Sequence, residues 1–188
     1  MDRPVCFLDA CVLYPPLVRG ILLGAAEAKL IRPRWSRRVL DEWRISALRR
    51  GAAEAGIDRS VAETAAAFPE AMTVPDPEVE AAISLPDPAD AHVLAGAIAA
   101  GASVLVTFNL RDFPARRLAA RGVAPRHPDG FLWELLSQAP EAMRPVIRSA
   151  AGRADAETPV EIRRALKRAR LPRLGKAFEG LEDGPQGG

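Results

Sequence analysis

Two short runs of apolar residues constrain the fold more than any other feature of this sequence. VCFLDA begins at Val5 and SVLVTF begins at Ser103, and neither run alternates between apolar and polar residues. A strand exposed on one face alternates, whereas a strand of a parallel sheet is covered on both faces and is apolar throughout. Segments with helical spacing separate the two runs. The sequence therefore predicts an α/β fold, with a parallel sheet covered by helices on both faces.

Helical signals lie on both sides of these strands. Ser36 is a natural N-cap for RRVLDEWRISALRR, in which apolar residues recur at i, i+3 and i+4. Gly101 is a suitable stop for the helix DAHVLAGAIAAG. Further helices are predicted from Leu17 to Lys29, from Arg59 to Phe68, over RDFPARRLAARG and over PDGFLWELLSQ. IRPRW and VAP are predicted as short strands, and VPDPEVEAAISLPDP as a Pro-rich connection with a short helical turn.

The chain is predicted to be entirely helical after Ala139. TPVEIRRALKRARL begins with a capping box, formed by Thr158 and Glu161, and places Pro159 at the first helical position. We therefore predict a domain of residues 1–138 and a helical C-terminal extension of residues 139–188. The final residues, EDGPQGG, are expected to fray.

Composition says more about the cellular location of this protein than about its function. The 188 residues fit one domain with a modest appendage, and the formal net charge of +2 does not indicate a nucleic-acid-binding protein. The start of the chain has no signal-peptide pattern, and no apolar run is long enough to span a membrane. Cys6 and Cys11 form no CxxC pair, so we expect buried free thiols in a reducing compartment. The predicted location is the cytoplasm, with no membrane partner.

Acidic and amide side chains follow both apolar strands. Asp9 ends the first strand, and Asn109 and Asp112 follow the second. In an open parallel sheet, ligands bind at the carboxyl ends of the strands. Glu42, within the helix after Ser36, and Asp90, at the start of DAHVLAGA, are the next candidates. Such acids would repel one another without a cation, and carboxylate oxygens favour Mg²⁺ or Mn²⁺.

Most of these acids also have a purely structural interpretation. Asp90 is three residues after the potential N-cap Asp87, and Glu42 lies one helical turn after Arg38. Asp112 can be an N-cap, and Asn109 can be a turn former. Asp9 has no comparable alternative, because an unpaired carboxylate in an apolar run is costly to bury.

Four segments together resemble a known family. FLDACVL, VLDEWR, LPDPADAHVLAGAIAAGASVLVTFNLRDFP and HPDGFLWELL occur in this order and spacing. They are similar to the PIN-domain ribonucleases, and most of all to the VapC-type toxins with a helical C-terminal extension. The resemblance implies a three-layer α/β/α sandwich in which Asp9, Glu42, Asp90 and Asp112 are the catalytic acids around Mg²⁺ or Mn²⁺. Asn109 and Thr107 match secondary positions of the same site.

The resemblance also implies an activity. In the family, metal-activated water hydrolyses RNA, so Asp9, Asp90 and Asp112 would bind metal, while Glu42 would bind metal or orient water. A VapC-type toxin implies a protein antitoxin, a homodimer and an RNA substrate, which is a transfer, ribosomal or messenger RNA. Gly20 and Ala91 depart from the subgroup, where Asp and Arg are common. These departures leave the proposed ligands intact.

Other residue types have weaker signals. The arginines that are candidates for RNA binding are Arg19, Arg44, Arg111, Arg116 and Arg117, and each is equally explained by a solvated helix face. Trp35, Trp43 and Trp133 are predicted to be core residues rather than stacking platforms. His92 is predicted to be structural, since the metal mechanism needs no imidazole.

Competing functions remain at this point. Cys11 stands where a haloacid dehalogenase needs a second Asp, and no Lys follows the later strands as a receiver domain requires. A nuclease of the same architecture that acts on DNA or structured flaps stays open. A degenerate PIN fold that only binds would be expected to lack one of the acids, and all four are present.

Overall fold

The computed structural model describes residues 3–182. Most of the predicted frayed tail, residues 183–188, lies outside this range. The strands are β1 (Val5–Leu8), β2 (Arg32–Ser36), β3 (Met72–Thr73), β4 (Val104–Val106) and β5 (Ala124–Arg126). The helices are α1 (Ala10–Leu13), α2 (Pro16–Glu27), α3 (Arg37–Arg49), α4 (Glu54–Ala67), α5 (Pro77–Ala81), α6 (Ala91–Ala99), α7 (Ala115–Ala119), α8 (Pro128–Gln138), α9 (Pro140–Gly152), α10 (Pro159–Arg168) and α11 (Pro172–Glu182).

The described strands form one five-stranded parallel sheet in the order β3-β2-β1-β4-β5. The central pairing aligns Phe7 with Arg34 on one side and with Leu105 on the other. Strand β1 is central, with β2 and then β3 on one side of it and β4 and then β5 on the other. The change of direction between β1 and β4 is the switch point at which a parallel sheet binds ligands. The predicted α/β fold with a helical C-terminal segment is confirmed.

Helix α6 packs closely on the centre of the sheet. Every residue from Ala91 to Ala97 is buried, which explains why this helix has no polar face. A methyl group added at Gly96 would lie 2.4 Å from Cζ of Phe7 in β1, closer than carbon atoms can approach. Gly101 has a φ of +59° and ends the helix as predicted. The close packing of α6 fixes Asp90, which immediately precedes it.

Local differences from the predicted elements have physical causes. Strand β3 has two residues, too few to produce a periodic pattern, and the sequence did not indicate it. Helix α7 is limited to Ala115–Ala119 because Pro114 stands at its N-cap, so the predicted helix over RDFPARRLAARG is wrong at its start. Helix α4 begins at Glu54 rather than at Arg59.

The described chain divides into two compact units. The first comprises residues 3–14 and 31–127 and contains the whole sheet, and the second comprises residues 15–30 and 128–182 and is helical. Helices α2 and α8 thus belong to the same unit as the C-terminal helices. The proposed domain boundary at residue 139 rests on the change to an all-helical pattern after Ala139 and stays a prediction.

Close helix packing and a carboxylate cap hold the second unit together. A methyl group added at Gly24 in α2 would lie 2.7 Å from Val146 in α9, so glycine is needed for this approach. Asp129 in α8 accepts hydrogen bonds from the backbone N–H groups of Arg173 (3.1 Å) and Leu174 (2.9 Å), and so caps the start of α11. Thr158 and Glu161 form the predicted capping box.

The predicted core residues are buried with one exception. Trp35 and Trp43 are fully buried. Trp133 is half-buried, and the guanidinium carbon of Arg173 lies 3.4 Å from its ring centroid. Cys6 and Cys11 are free thiols. Within residues 3–182, no helix is both long and apolar enough to cross a bilayer.

Candidate active site

Asp9 lies at the switch point of the sheet, directly after β1. Its backbone N–H donates to the carbonyl of Val106 in β4 (3.2 Å), which extends the β1–β4 pairing by one residue. Its own carbonyl accepts from Val12 (3.1 Å) and Leu13 (3.3 Å), because Asp9 is the N-cap residue of α1. The side chain makes no capping bond to the helix, and the residue is 7% exposed. Asp9 is therefore fixed by its backbone, and its carboxylate is left for other partners.

Two neutral donors hold the Asp9 carboxylate. The Thr107 hydroxyl donates to Oδ2 at 2.7 Å, and the Cys11 thiol donates to the same oxygen at 3.1 Å. Thr107 in turn accepts from the N–H of Asn109 (3.0 Å), and Cys11 accepts from the N–H of Phe108 (3.2 Å). Burial, and then the charge of Asp9, raise the pKa of the Cys11 thiol, which keeps the donor protonated. These bonds orient the carboxylate without neutralising it.

Asp90 shares the electrostatic field of the other acids. Burial and the negative charges of Asp9, Asp87 and Asp112 raise the pKa of Asp90 to about 6, although His92 acts in the opposite direction. Asp87 caps the turn before α6 by accepting from the N–H of Ala89 (2.9 Å), as predicted. The structure thus brings Asp90 near enough to Asp9 and to Asp112 to be repelled by both.

Glu42 has basic side chains as partners of its own. It lies in α3, and its Oε1 accepts from Nε2 of His92 at 2.9 Å and lies 3.4 Å from Nε of Arg38. Its side chain is 36% exposed, whereas His92 is 2% exposed. No residue within 3–182 hydrogen-bonds Nδ1 of this histidine. Glu42 is therefore held through His92 to the start of α6, two residues from Asp90.

The carboxylates of this site are suitable ligands for a divalent cation, although their present arrangement is not that of a metal site. Within residues 3–182, no three His, Cys, Asp or Glu side chains already form a metal-binding group. The chemistry nevertheless fits, since Asp90 is repelled by the carboxylates of Asp9 and Asp112, and no Lys, Arg or His side chain in this range forms an ion pair with Asp9. A hard cation that accepts oxygen ligands would offset this repulsion.

Comparison with known proteins shows the family of this chain. The family model described as PIN domain matches residues 6–111, more than half of the 188 residues. The chain belongs to the PIN-domain family. The match contains Asp9, Glu42, Asp90 and Asn109 and ends one residue before Asp112. The family resemblance of the sequence motifs is confirmed.

One curated relative belongs to the predicted subgroup by name. "Putative ribonuclease VapC50" of Mycobacterium tuberculosis is 43% identical over 58 residues, which cover 31% of this chain and 34% of the relative. The chain thus matches about a third of that relative's length. No solved structure matches the chain significantly.

Two of the arginines proposed for RNA binding are engaged within the PIN fold. Arg44 in α3 contacts the carboxylates of Asp58 (2.5 Å) and Glu54 (2.5 Å) in α4. Arg117 in α7 donates to the backbone carbonyl of Ser84 at 2.6 Å. These contacts fasten neighbouring segments to each other.

The remaining polar candidates lie in different settings. Arg111 and Arg116 are exposed in the unit that carries the sheet, and Asn109 is exposed beyond β4. Arg19 lies in α2 of the helical unit, and burial lowers its pKa. Asp112 is half-buried, and its N–H donates to the carbonyl of Asn109 (3.0 Å), so a turn carries both residues. Their roles in binding stay predictions.

Sequence reasoning missed three residues that shape this site. The sequence predicts a buried free thiol at Cys11 and a structural residue at His92, and in the structure these side chains also contact Asp9 and Glu42 respectively. Arg38 was considered only as a surface partner of Glu42, but it also approaches Glu80 (3.2 Å) and the carbonyl of Ala89 (3.5 Å). The i+2 spacing of Cys11 from Asp9 was visible in the sequence. The contacts of His92 with Glu42 and of Arg38 with Glu80 and Ala89 join residues 42 to 51 positions apart, and the sequence does not show them.

Proposed function

We propose that this protein is a Mg²⁺- or Mn²⁺-dependent endoribonuclease and the toxin of a toxin–antitoxin pair. Membership of the PIN-domain family supports a nuclease, and the name of the relative supports a ribonuclease of VapC type. The observation that carries the proposal is the buried Asp9 carboxylate, which within residues 3–182 is hydrogen-bonded only to neutral donors and which repels the carboxylate of Asp90. Such an arrangement costs stability unless a cation is bound.

The residues of the site would divide the work. Asp9, Asp90 and Asp112 would hold the metal, and Glu42 would orient the attacking water or act as a further ligand. A bound divalent cation would supply charge neutralisation at the phosphate and a more acidic water. Thr107 and Cys11 keep Asp9 in one orientation, and His92 keeps Glu42 at the edge of the site. Asn109 and Thr107 would act as secondary groups after β4.

A cleavage assay tests this proposal. The protein is incubated with total RNA, and separately with single-stranded DNA, in EDTA, Mg²⁺ or Mn²⁺. We expect cleavage of RNA in either metal and none in EDTA. Asp9→Asn should abolish cleavage, while Asp155→Asn is the matched control, because Asp155 is exposed and its φ of +54° suits asparagine. Cleavage of DNA alone, or undiminished cleavage in EDTA, would overturn the proposal.

The biological setting is part of the same proposal. A toxin should arrest growth when expressed alone, and a protein antitoxin encoded beside it should relieve the arrest. We also propose a homodimer in the cytoplasm, to be checked by analytical ultracentrifugation and fractionation. Sequencing of the RNA 5′ ends produced on induction would identify the transfer, ribosomal or messenger RNA target. Growth without any effect of expression would contradict the toxin role.

A further inference from the structure

A cavity of about 390 Å³ opens at the carboxyl ends of β2 and β3. Ser36 and Thr73, the last residues of these strands, pair with each other in the sheet and both line the cavity. Its volume lies within the range of about 300–1,000 Å³ typical of small-molecule sites. The cavity therefore stands at the edge of the sheet where ligands bind, but on strands that carry none of the proposed metal ligands.

The cavity shares walls with the proposed active site. His92 and Arg38 line it, and both contact the Glu42 carboxylate, at 2.9 Å and 3.4 Å. Arg38 also approaches the carbonyl of Ala89 at 3.5 Å, next to Asp90. A group bound in the cavity would thus be separated from Glu42 by single side chains.

The charges of the lining are balanced. Arg37 pairs with Asp41 at 3.0 Å, and Arg38 pairs with Glu80 at 3.2 Å, and all four residues line the cavity. Two cations matched by two carboxylates leave no excess positive charge to attract a phosphate. Exposed pairs of this kind contribute little stability. The lining therefore favours a neutral group with hydrogen-bonding edges.

Apolar side chains also line the cavity. Met72 is 41% exposed and Val74 is 85% exposed, and they are two of the six large hydrophobic side chains exposed among residues 3–182. Both line the cavity, beside Pro75. An unstacked base of single-stranded RNA packs its face on side chains and forms hydrogen bonds through its edge. The cavity offers both an apolar surface and hydrogen-bond acceptors.

We infer that this cavity binds one base of the substrate RNA, beside the phosphate that is cleaved. This inference rests on the proposed ribonuclease function. The base lies against Val74 and Met72, and its amino edge donates to the Asp41 carboxylate, which is an acceptor only. The site therefore prefers adenine, cytosine or guanine to uracil, which has no exocyclic amino group.

Mapping of cleavage sites in a randomised RNA tests the inference. The wild type should show a preference for amino-bearing bases at one position beside the cut. Val74→Ser should lower kcat/KM about 5-fold and weaken this preference, and Asp41→Asn should remove the discrimination against uracil. Val160→Ser is the matched control, since Val160 is 47% exposed on α10 and does not line the cavity. It should behave as the wild type.

The outcomes separate the two proposals. If the wild type cleaves no RNA in Mg²⁺ or Mn²⁺, the ribonuclease proposal fails. If it cleaves RNA and both cavity variants, folded by circular dichroism, keep its base preference, the ribonuclease proposal stands and the cavity inference is overturned.

A binding measurement provides a second readout that needs no cleavage. The Asp9→Asn protein is titrated with each of the four nucleoside 5′-monophosphates, and the amide NMR signals of Thr73 and Val74 are followed. We expect these signals to shift with the amino-bearing nucleotides and less with uridine monophosphate. Equal shifts with all four, no shift with any, or a shift only on addition of a protein partner would overturn the inference.

Discussion

Two buried acids, one in each compact unit, are held in opposite ways. Glu182 in the helical unit has a side chain that is 4% exposed, and it pairs with Arg144 at 2.7 Å and with Arg148. Asp9 in the unit with the sheet is 7% exposed, and its partners are the hydroxyl of Thr107 and the thiol of Cys11. The first acid is paired with cations within its unit, and the second has no such ion pair within residues 3–182.

The difference indicates what each acid is for. A buried carboxylate between two guanidinium groups joins helices, and its charge is already compensated. A carboxylate that is oriented by neutral donors and lies near another acid is, on the proposed function, available to a cation. The raised pKa of Asp90, caused by burial and then by Asp9, is the cost of that arrangement. The exposed fractions of Asp9 and Glu182 are similar, so burial alone does not distinguish the two acids.

Neutralising Asp9 and neutralising Glu182 should have the largest effects of the predicted substitutions, one on RNA cleavage and the other on stability. Asp9→Asn should lower RNA cleavage at least about 1,000-fold, since a catalytic group is lost, while the free energy of unfolding is unchanged or slightly raised. Glu182→Gln should keep the cleavage rate and lower the free energy of unfolding by about 1–3 kcal/mol, because two arginines lose their charged partner. Initial rates and urea unfolding measure both. Equal losses of unfolding free energy in the two variants would contradict the proposed difference between Asp9 and Glu182.

The Thr107 hydroxyl should be the next most important group. Thr107→Val keeps the shape and β-branching of the side chain but removes the donor to Asp9 at 2.7 Å. Loss of a group that orients a metal ligand typically costs 10- to 100-fold in metal affinity. We expect a loss of this size in Mg²⁺ affinity, measured by calorimetry. Thr107→Ser, which retains the hydroxyl, is the control and should stay within about 3-fold of the wild type.

The stability of the metal-free protein should depend on pH through Asp90. Its pKa is raised to about 6 in the folded protein, so the protonated form is favoured by folding. The stabilising contribution is complete below about pH 4 and is lost as the pH rises through about 6. Because Asp90 is partly exposed, we expect a loss on the order of 1 kcal/mol.

A paired measurement isolates this effect. Unfolding of the wild type and of Asp90→Asn in EDTA is compared from pH 4.5 to 8, and the variant should become relatively more stable as the pH rises. Mg²⁺ at pH 8 should raise the melting temperature of the wild type and not that of Asp9→Asn. A difference between wild type and variant that does not change with pH would show that the acids are not coupled.

The Cys11 thiol should have the smallest effect. Its bond to Asp9 is 3.1 Å long and a thiol is a weak donor, so Cys11→Ala should lower Mg²⁺ affinity only a few-fold. Cys11→Ser supplies a stronger donor and should match or exceed the wild type. Calorimetric titration measures both variants. A loss as large as that of Thr107→Val would mean that the thiol, rather than the hydroxyl, fixes the carboxylate.

The sequence predicted the parts of the fold that have strong local signals. The continuous apolar runs gave β1 and β4, Ser36 gave the start of α3, and Thr158 with Glu161 gave the start of α10. It did not indicate β3, whose two residues are stabilised by pairing with Trp35 and Ser36 rather than by their own pattern. The missed elements are those that depend on partners distant in sequence.

The candidate site shows the same division. An acid in an apolar run marked Asp9, and the family motifs marked Glu42, Asp90 and Asp112. Asp9 alone has a local context that is unusual for a charged residue, whereas the other three acids also have ordinary structural interpretations. Whether they form the metal site stays a prediction. Their hydrogen-bond partners were not apparent, since Thr107 and His92 contact acids far away along the chain.

The sequence by itself thus determined the parallel α/β class and the acid that cannot be an ordinary core residue, since both follow from the cost of burying polar groups and charges. Only the tertiary structure decided which buried acid is neutralised. Asp9 and Glu182 differ by the residues that the fold brings beside them, a threonine from β4's end for one and arginines from α9 for the other. Charge compensation depends on distances in space, and local sequence does not contain them.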